Sequence, residues 1–198
     1  MSIKENRISD TIENLGMGWL PDYPDFRDHT IDLDKVPPQL KALGQKDSIK
    51  AMLAKVGVAK AARVSIPVSV DLRSWFSPVE NQGSLGSCTA NAGVGIMEYF
   101  ERRAFGKHID ASRLFLYKAT RNIMHSTGDT GAFLRSTMGA LVLFGVPPEE
   151  YWPYVIASFD KEPSAFCYAR GCGNHGRSAF QKLLGRGVGC RRLRMAAL

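Results

Sequence analysis

The chain has 198 residues, 44% hydrophobic and 23% charged, enough for one domain with a real core or for one lobe of a larger protein. No apolar run approaches the roughly 20 residues that cross a bilayer, and the polar start leads into no hydrophobic signal region, so neither a membrane span nor export is expected. The net charge of +7 does not point to nucleic acid as a partner: residues 1–169 balance 19 basic against 19 acidic side chains, and the whole excess sits in 170–198.

Residues 1–66 read as a leader. Gly16-Met17-Gly18-Trp19-Leu20-Pro21-Asp22-Tyr23-Pro24-Asp25 is turn-rich, with aromatics available to pin it to another surface. From 39 to 62, Leu40, Leu43, Ile49, Leu53 and Val56 recur at loose helical spacing. An amphipathic helix packed on the body accounts for that pattern, and a segment lying across a cleft as an inhibitor is the sharper alternative.

Next comes Gln82-Gly83-Ser84-Leu85-Gly86-Ser87-Cys88, a glycine-containing turn followed by a helix that begins at the cysteine. The positive end of a helix stabilises a thiolate, which suits Cys88 to nucleophilic attack. The side-chain NH2 of Gln82 and the backbone N–H of Cys88 together can hold the oxygen of a tetrahedral intermediate.

The helix that starts at Cys88 is predicted to run to about Arg103 as a central, buried rod. Ala92, Ile96 and Tyr99 recur along it, flanked by Gly93, Met97, Phe100 and Ala104. A second helix is predicted from an N-cap at Ser112 to about Asn122. A loop over 126–131 leads to a third helix, Leu134 to Phe144, stopped by Gly145 and Pro147-Pro148. Trp152-Pro153-Tyr154 ends that unit in an extended or turn conformation.

After Ala169 the texture changes. Residues 170–198 hold six glycines, seven basic side chains and no acid, with one short helical hint at Phe180, Leu183 and Leu184. Such a stretch reads either as translation out of frame or as a flexible basic tail. Cys88, Cys167, Cys172 and Cys190 form no paired zinc pattern, even with His175 near Cys172, so no metal or cofactor is expected. Few cysteines and no export signal fit a reducing, by default cytoplasmic, compartment.

The segment from Gln82 to Cys88 resembles the papain-like cysteine peptidases, whose signature is Gln-Gly-x-Cys-Gly-Ser-Cys-Trp. Pro67, Asp71 and Arg73 are similar to the start of the mature family domain, and Val79 to the Val that precedes the glutamine. Gly128-Asp129-Thr130-Gly131-Ala132 resembles the family's substrate loop, and Gly145-Val146 with Trp152-Pro153-Tyr154 resembles its Gly-Ile and Tyr-Pro-Tyr landmarks. The Ser-Cys-Thr-Ala-Asn run is similar to a bacterial-type subgroup. Two positions depart from the pattern: Leu85 replaces a disulfide-forming cysteine, and Thr89 replaces the usual Trp.

The resemblance covers about residues 67–157 and implies an α+β fold of papain type, here mainly the helical N-terminal lobe with most of the β-rich lobe missing. It divides the chain into a propeptide-like leader (1–66), a catalytic helical lobe (67–169) and the basic tail (170–198). It implies Cys88 as nucleophile, Gln82 as oxyanion donor, Gly131 and Ala132 as backbone partners of an extended substrate, and a peptide or protein as that substrate.

In the family the histidine base lies about 130–150 residues after the cysteine, and 110 residues follow Cys88 here. His29 and His108 read as surface residues, His125 as lying on the wrong lobe, and His175 as sitting in the unusual tail. The expectation is therefore a cysteine peptidase by family whose general base is missing from this chain. A non-catalytic peptide-binding or decoy protein is the alternative, and acyl transfer to an acceptor other than water is a third.

Overall fold

The computed structural model describes residues 16–25, 28–29, 36–43, 46, 48–49, 51, 54 and 67–173, the last two by backbone alone. The described residues of 22–71 form one compact unit, and those of 16–21 and 72–173 form another. Residues 16–21, part of the segment read as a leader, thus cluster with residues 72–173.

In the smaller unit, helix α1 spans Pro38–Ala42 and ends at Leu43. Leu40 and Leu43 are exposed, so this turn does not bury the apolar stripe read from the sequence. Leu53 and Val56 of that stripe lie outside the described residues.

In the larger unit, helix α2 spans Cys88–Phe105 and starts at the cysteine as predicted. It ends at Gly106, whose left-handed φ of 68° lets its N–H close on the Arg102 carbonyl, with Arg102 and Arg103 in the negatively polarised last turn. Its buried stripe differs from the predicted one. Ala90, Gly93, Val94, Met97 and Tyr99 face the core, together with Glu98 and Glu101, while Ala92, Ile96 and Ala104 are exposed. Small residues at 90 and 93 fit against the neighbouring helices, whereas the apolar side chains at 92 and 96 lie on the opposite face.

The most enclosed element is helix α3, Arg113–Ile123, and not α2. Its N-cap is Ser112, whose Oγ accepts from the Phe115 N–H at 3.1 Å and donates to the Trp152 carbonyl at 2.6 Å. Leu114, Phe115, Leu116, Tyr117 and Ala119 are fully buried between α2 and helix α4, Leu134–Phe144. Gly145 ends α4 at a φ of 64°. Helix α5, Ala165–Gly173, then packs on α4, with the Tyr168 ring 4.9 Å from Phe115 and 5.3 Å from Phe144. It crosses the 169/170 division drawn from composition, and the rest of the tail, His175 and Cys190 included, lies outside the described residues.

Among the described residues the only sheet is a two-stranded parallel one, β1 (Trp19–Leu20) against β2 (Ala132–Phe133), with Trp19 opposite Ala132 and Leu20 opposite Phe133. The body is thus a helical half with almost no sheet. Among the described residues no helix is long and apolar enough to cross a membrane.

Candidate active site

The turn that leads into α2 is fixed from both sides. Leu85 is 2% exposed and fills the core at the position where the sequence pattern had lost a cysteine. Asn81 Oδ1 accepts from the Gly83 N–H at 2.8 Å, and the Ser87 N–H reaches the Leu85 carbonyl at 2.8 Å. Cys88 follows as the first helical residue, half-buried and with a free thiol. Thr89, where the pattern had a Trp, is buried, and its hydroxyl has no hydrogen-bond partner among the described residues.

Gln82 directs both protons of its amide inward. Nε2 donates to the Gly16 carbonyl at 2.6 Å and to the Leu85 carbonyl at 3.0 Å. The donor expected to hold a developing oxyanion is therefore in contact with a backbone carbonyl of the chain's own N-terminal segment.

The same segment meets the other predicted binding residues. The Ala132 N–H donates to the Gly18 carbonyl at 2.7 Å, and the Gly16 N–H to the Gly83 carbonyl at 3.1 Å. Contact at Gly18 is too close for any side chain: a Cβ there would lie 1.7 Å from the Gly86 carbonyl oxygen. A Cβ on Gly131, at a φ of 71°, would likewise lie 2.3 Å from the Gly18 oxygen. Of the predicted pair, Ala132 offers its N–H to the extended segment, whereas the Gly131 N–H is taken by Tyr117 Oη at 3.0 Å.

Residues 16–20, Gln82 and the 131–133 edge therefore share one groove. Backbone atoms hold the segment there. Trp19, one of the aromatics expected to pin it, is 60% exposed.

Two supports of this groove were not assigned roles from the sequence. Asp129 accepts from the Gly86 N–H with both oxygens, at 3.0 and 3.1 Å, and from Tyr117 Oη at 2.5 Å, tying the 128–131 loop to the turn before Cys88. Burial and the neighbouring Asp129 carboxylate push the Tyr117 phenol well above its usual range, so it remains a donor. On the other side, Tyr154 Oη donates to the Gln82 carbonyl at 3.0 Å and lies 2.6 Å from Ser87 Oγ. Asp129 had stood in a quoted glycine loop and Tyr154 in a quoted landmark, but nothing local to either signals a contact 43 or 72 residues away.

No protein-family model matches the chain. Over 153 residues, 76% of its length, it is 29% identical to an uncharacterised peptidase C1-like protein of Acanthamoeba polyphaga mimivirus, of which it spans 46%. Xylellain, a cysteine protease from Xylella fastidiosa, matches over 84% of the chain and 58% of its own, with a TM-score of 0.55 and 27% identity. The chain shares the papain-like fold and resembles the C1-type cysteine peptidases in sequence. Digestive procathepsin L 3 of Tenebrio molitor larval midgut also matches, over 56% of the chain and 36% of its own, at a TM-score of 0.47 and 21% identity. The papain-like chain spans about half the length of the relatives it matches.

Its described histidines, His29, His108 and His125, are all exposed. Among the described residues, no group of three or more His, Cys, Asp or Glu side chains is arranged to hold a metal ion.

Proposed function

We propose that this papain-like chain is a cysteine-type peptidase component in which Cys88 attacks a peptide carbonyl and Gln82 holds the resulting oxyanion. One observation carries the reading: the groove beside the α2 N-terminus already holds an extended peptide backbone, residues 16–20, with a carbonyl seated on the Gln82 amide. A groove that takes its own chain by strand pairing suits a peptide or protein substrate, whose backbone offers the same donors and acceptors. In the acyl step the sulfur–carbon bond forms, the carbon–nitrogen bond breaks, and the proton that the Cys88 thiol gives up ends on the leaving amine.

Within this reading, residues 16–20 act as the leader's internal occupant of the groove and must move for a substrate to enter. The described histidines are exposed surface side chains, so none of them is set to activate Cys88 or to protonate the leaving amine, and peptide turnover by this chain is expected to stay near that of Cys88→Ala.

The second reading, a non-catalytic peptide binder, draws on the same seated segment. Labelling the full chain with a peptidyl epoxide and with iodoacetamide at neutral pH separates the two. Cys88 labelled well ahead of the buried Cys167 supports the peptidase reading. Peptide binding with Cys88 no faster than Cys167 supports the binder, and a Cys88→Ala variant gives the baseline for turnover of a fluorogenic peptide.

A further inference from the structure

Tyr154 lies outside the reacting pair, yet its hydroxyl touches both ends of the turn that joins them. A phenol has one proton. Because that proton goes to the Gln82 carbonyl, the contact with Ser87 has to run from Ser87 Oγ to Tyr154 Oη. Ser87 Oγ in turn accepts from Asn91 Nδ2 at 3.0 Å, and the same Nδ2 reaches the Ser87 carbonyl at 3.0 Å. The result is a directed chain from Asn91 through Ser87 and Tyr154 to the backbone of Gln82. Ser87 is fully buried, so the chain is shielded from competing water at its centre.

Arg113 fixes this chain at two points. Its guanidinium lies 4.4 Å from the Tyr154 ring centroid, and its Nη1 reaches Asn91 Oδ1 at 3.4 Å. The Arg113 side chain is 7% exposed and is held by Glu149, at 3.1 Å from Nη2, and by Glu80, at 3.0 Å from Nη1. Glu149 Oε1 also accepts the Tyr154 backbone N–H at 3.1 Å. Ring, hydroxyl and backbone of Tyr154 are thus each separately constrained. Burial raises the phenol above its ordinary range, so it keeps the proton it donates.

We propose that Tyr154 is a positioning residue: its hydroxyl sets the Gln82 backbone relative to the Ser87–Cys88 junction and thereby aims the Gln82 amide at the oxygen of the acylating carbonyl. The inference rests on the reading of Cys88 as nucleophile and Gln82 as oxyanion donor, and its test keeps the two apart.

The probe is a short peptide aldehyde, N-acetyl-glycyl-glycinal. The Cys88 thiol adds across its C=O: the sulfur–carbon bond forms, the carbonyl π bond breaks, and the thiol proton ends on the new oxygen. Affinity then reports on donors around that oxygen. Iodoacetamide is the control, because alkylation displaces iodide and creates no new tetrahedral oxygen for the Gln82 amide to hold. Full-length Tyr154→Phe, Gln82→Ala and the double variant are compared with the parent, each with Gly18 retained and with Gly18→Ala to empty the groove.

Tyr154→Phe is expected to weaken the aldehyde about fivefold, the scale of one lost intramolecular hydrogen bond, and to leave Cys88 alkylation within about twofold. Gln82→Ala is expected to weaken it more, with Tyr154→Phe adding nothing in that background, since the tyrosine acts through the glutamine. Parent-like aldehyde affinity in Tyr154→Phe while Gln82→Ala is weakened overturns the positioning role and leaves the site reading intact. Equal losses toward aldehyde and iodoacetamide also overturn it, as they mark a general disturbance. No aldehyde adduct at Cys88 in any background overturns the underlying reading and the inference with it.

Discussion

Gln82 and Gly16, 66 residues apart, share a 2.6 Å hydrogen bond from a side-chain amide to a backbone carbonyl. That contact occupies the donor proposed to hold the oxygen of an acyl intermediate, and it exists because two glycines let the N-terminal segment approach the turn backbone directly. The groove is therefore filled by the chain itself, and access to it depends on how firmly residues 16–20 are held.

Substituting Gly18 tests that dependence. A methyl group at this position lies 1.7 Å from the Gly86 carbonyl oxygen, a backbone atom that cannot swing aside, so the segment must leave its seat. Gly18→Ala is expected to speed iodoacetamide labelling of Cys88 by on the order of tenfold, a free-energy change of about 1.4 kcal/mol. Limited proteolysis within residues 16–20 should quicken in parallel. Parent-like rates in both measurements would show that the segment does not guard the thiol.

Asp129 offers a second handle on the same turn. Both of its oxygens accept the Gly86 N–H, and one also takes the Tyr117 hydroxyl. Asp129→Asn keeps the shape but turns one acceptor into an NH2 group facing donors. The expected cost is about 1.5–3 kcal/mol, the range for hydrogen bonds to a charged group. A urea midpoint that falls with an unchanged slope would confirm it, and a midpoint equal to the parent's would show that the carboxylate is dispensable.

How much of this was legible in the sequence follows from the range of each interaction. Helix starts and stops are local, and the N-cap at Ser112, the start at Cys88 and the stop at Gly145 all stand where the residues placed them. The core face of α2 was misread, because periodicity alone favoured Ala92 and Ile96, and only neighbouring helices decide which face is covered. Strand β1 left no pattern to read: two residues pair with two others 113 positions away, held by glycine backbone. Nothing in a local window distinguishes Gly18 from an ordinary turn glycine.

Arg113 anchors a polar cluster of Glu80, Asn91, Glu149 and Tyr154 beside the site, and its two replacements should differ. Arg113→Ala leaves Glu149, a mostly buried carboxylate, without its cation, and is expected to cost about 3–5 kcal/mol. Arg113→Lys keeps a charge but loses the two-pronged contact with Glu149 and the flat stacking on Tyr154, so a smaller loss is expected. Denaturant unfolding of both variants checks the order. Equal stabilities for Lys and Ala would mean that charge contributes nothing at this position.

Glu101 makes the fold sensitive to pH near neutrality. Its side chain is 1% exposed on the core face of α2, and neither oxygen has a hydrogen-bond partner among the described residues. Desolvation, with repulsion from Glu98 one turn away, pushes its carboxyl up to about 7 from an ordinary value of 4.5. Glu98 is also raised by burial, although its oxygens accept from Ser77 and from the Ala111 N–H. The folded chain therefore binds more protons than the unfolded one between these two values. Stability from this group is fully present below about pH 4.5 and is lost as the pH rises through about 7. Glu101→Gln removes the charge that must otherwise form in the core. It is expected to leave stability near pH 5 little changed and to raise it at pH 8 by roughly 1–2 kcal/mol, after allowance for screening. Thermal unfolding of parent and variant across pH 5–8 measures the difference, and parallel curves over that window would show that Glu101 ionises in the folded chain as it does in the unfolded one.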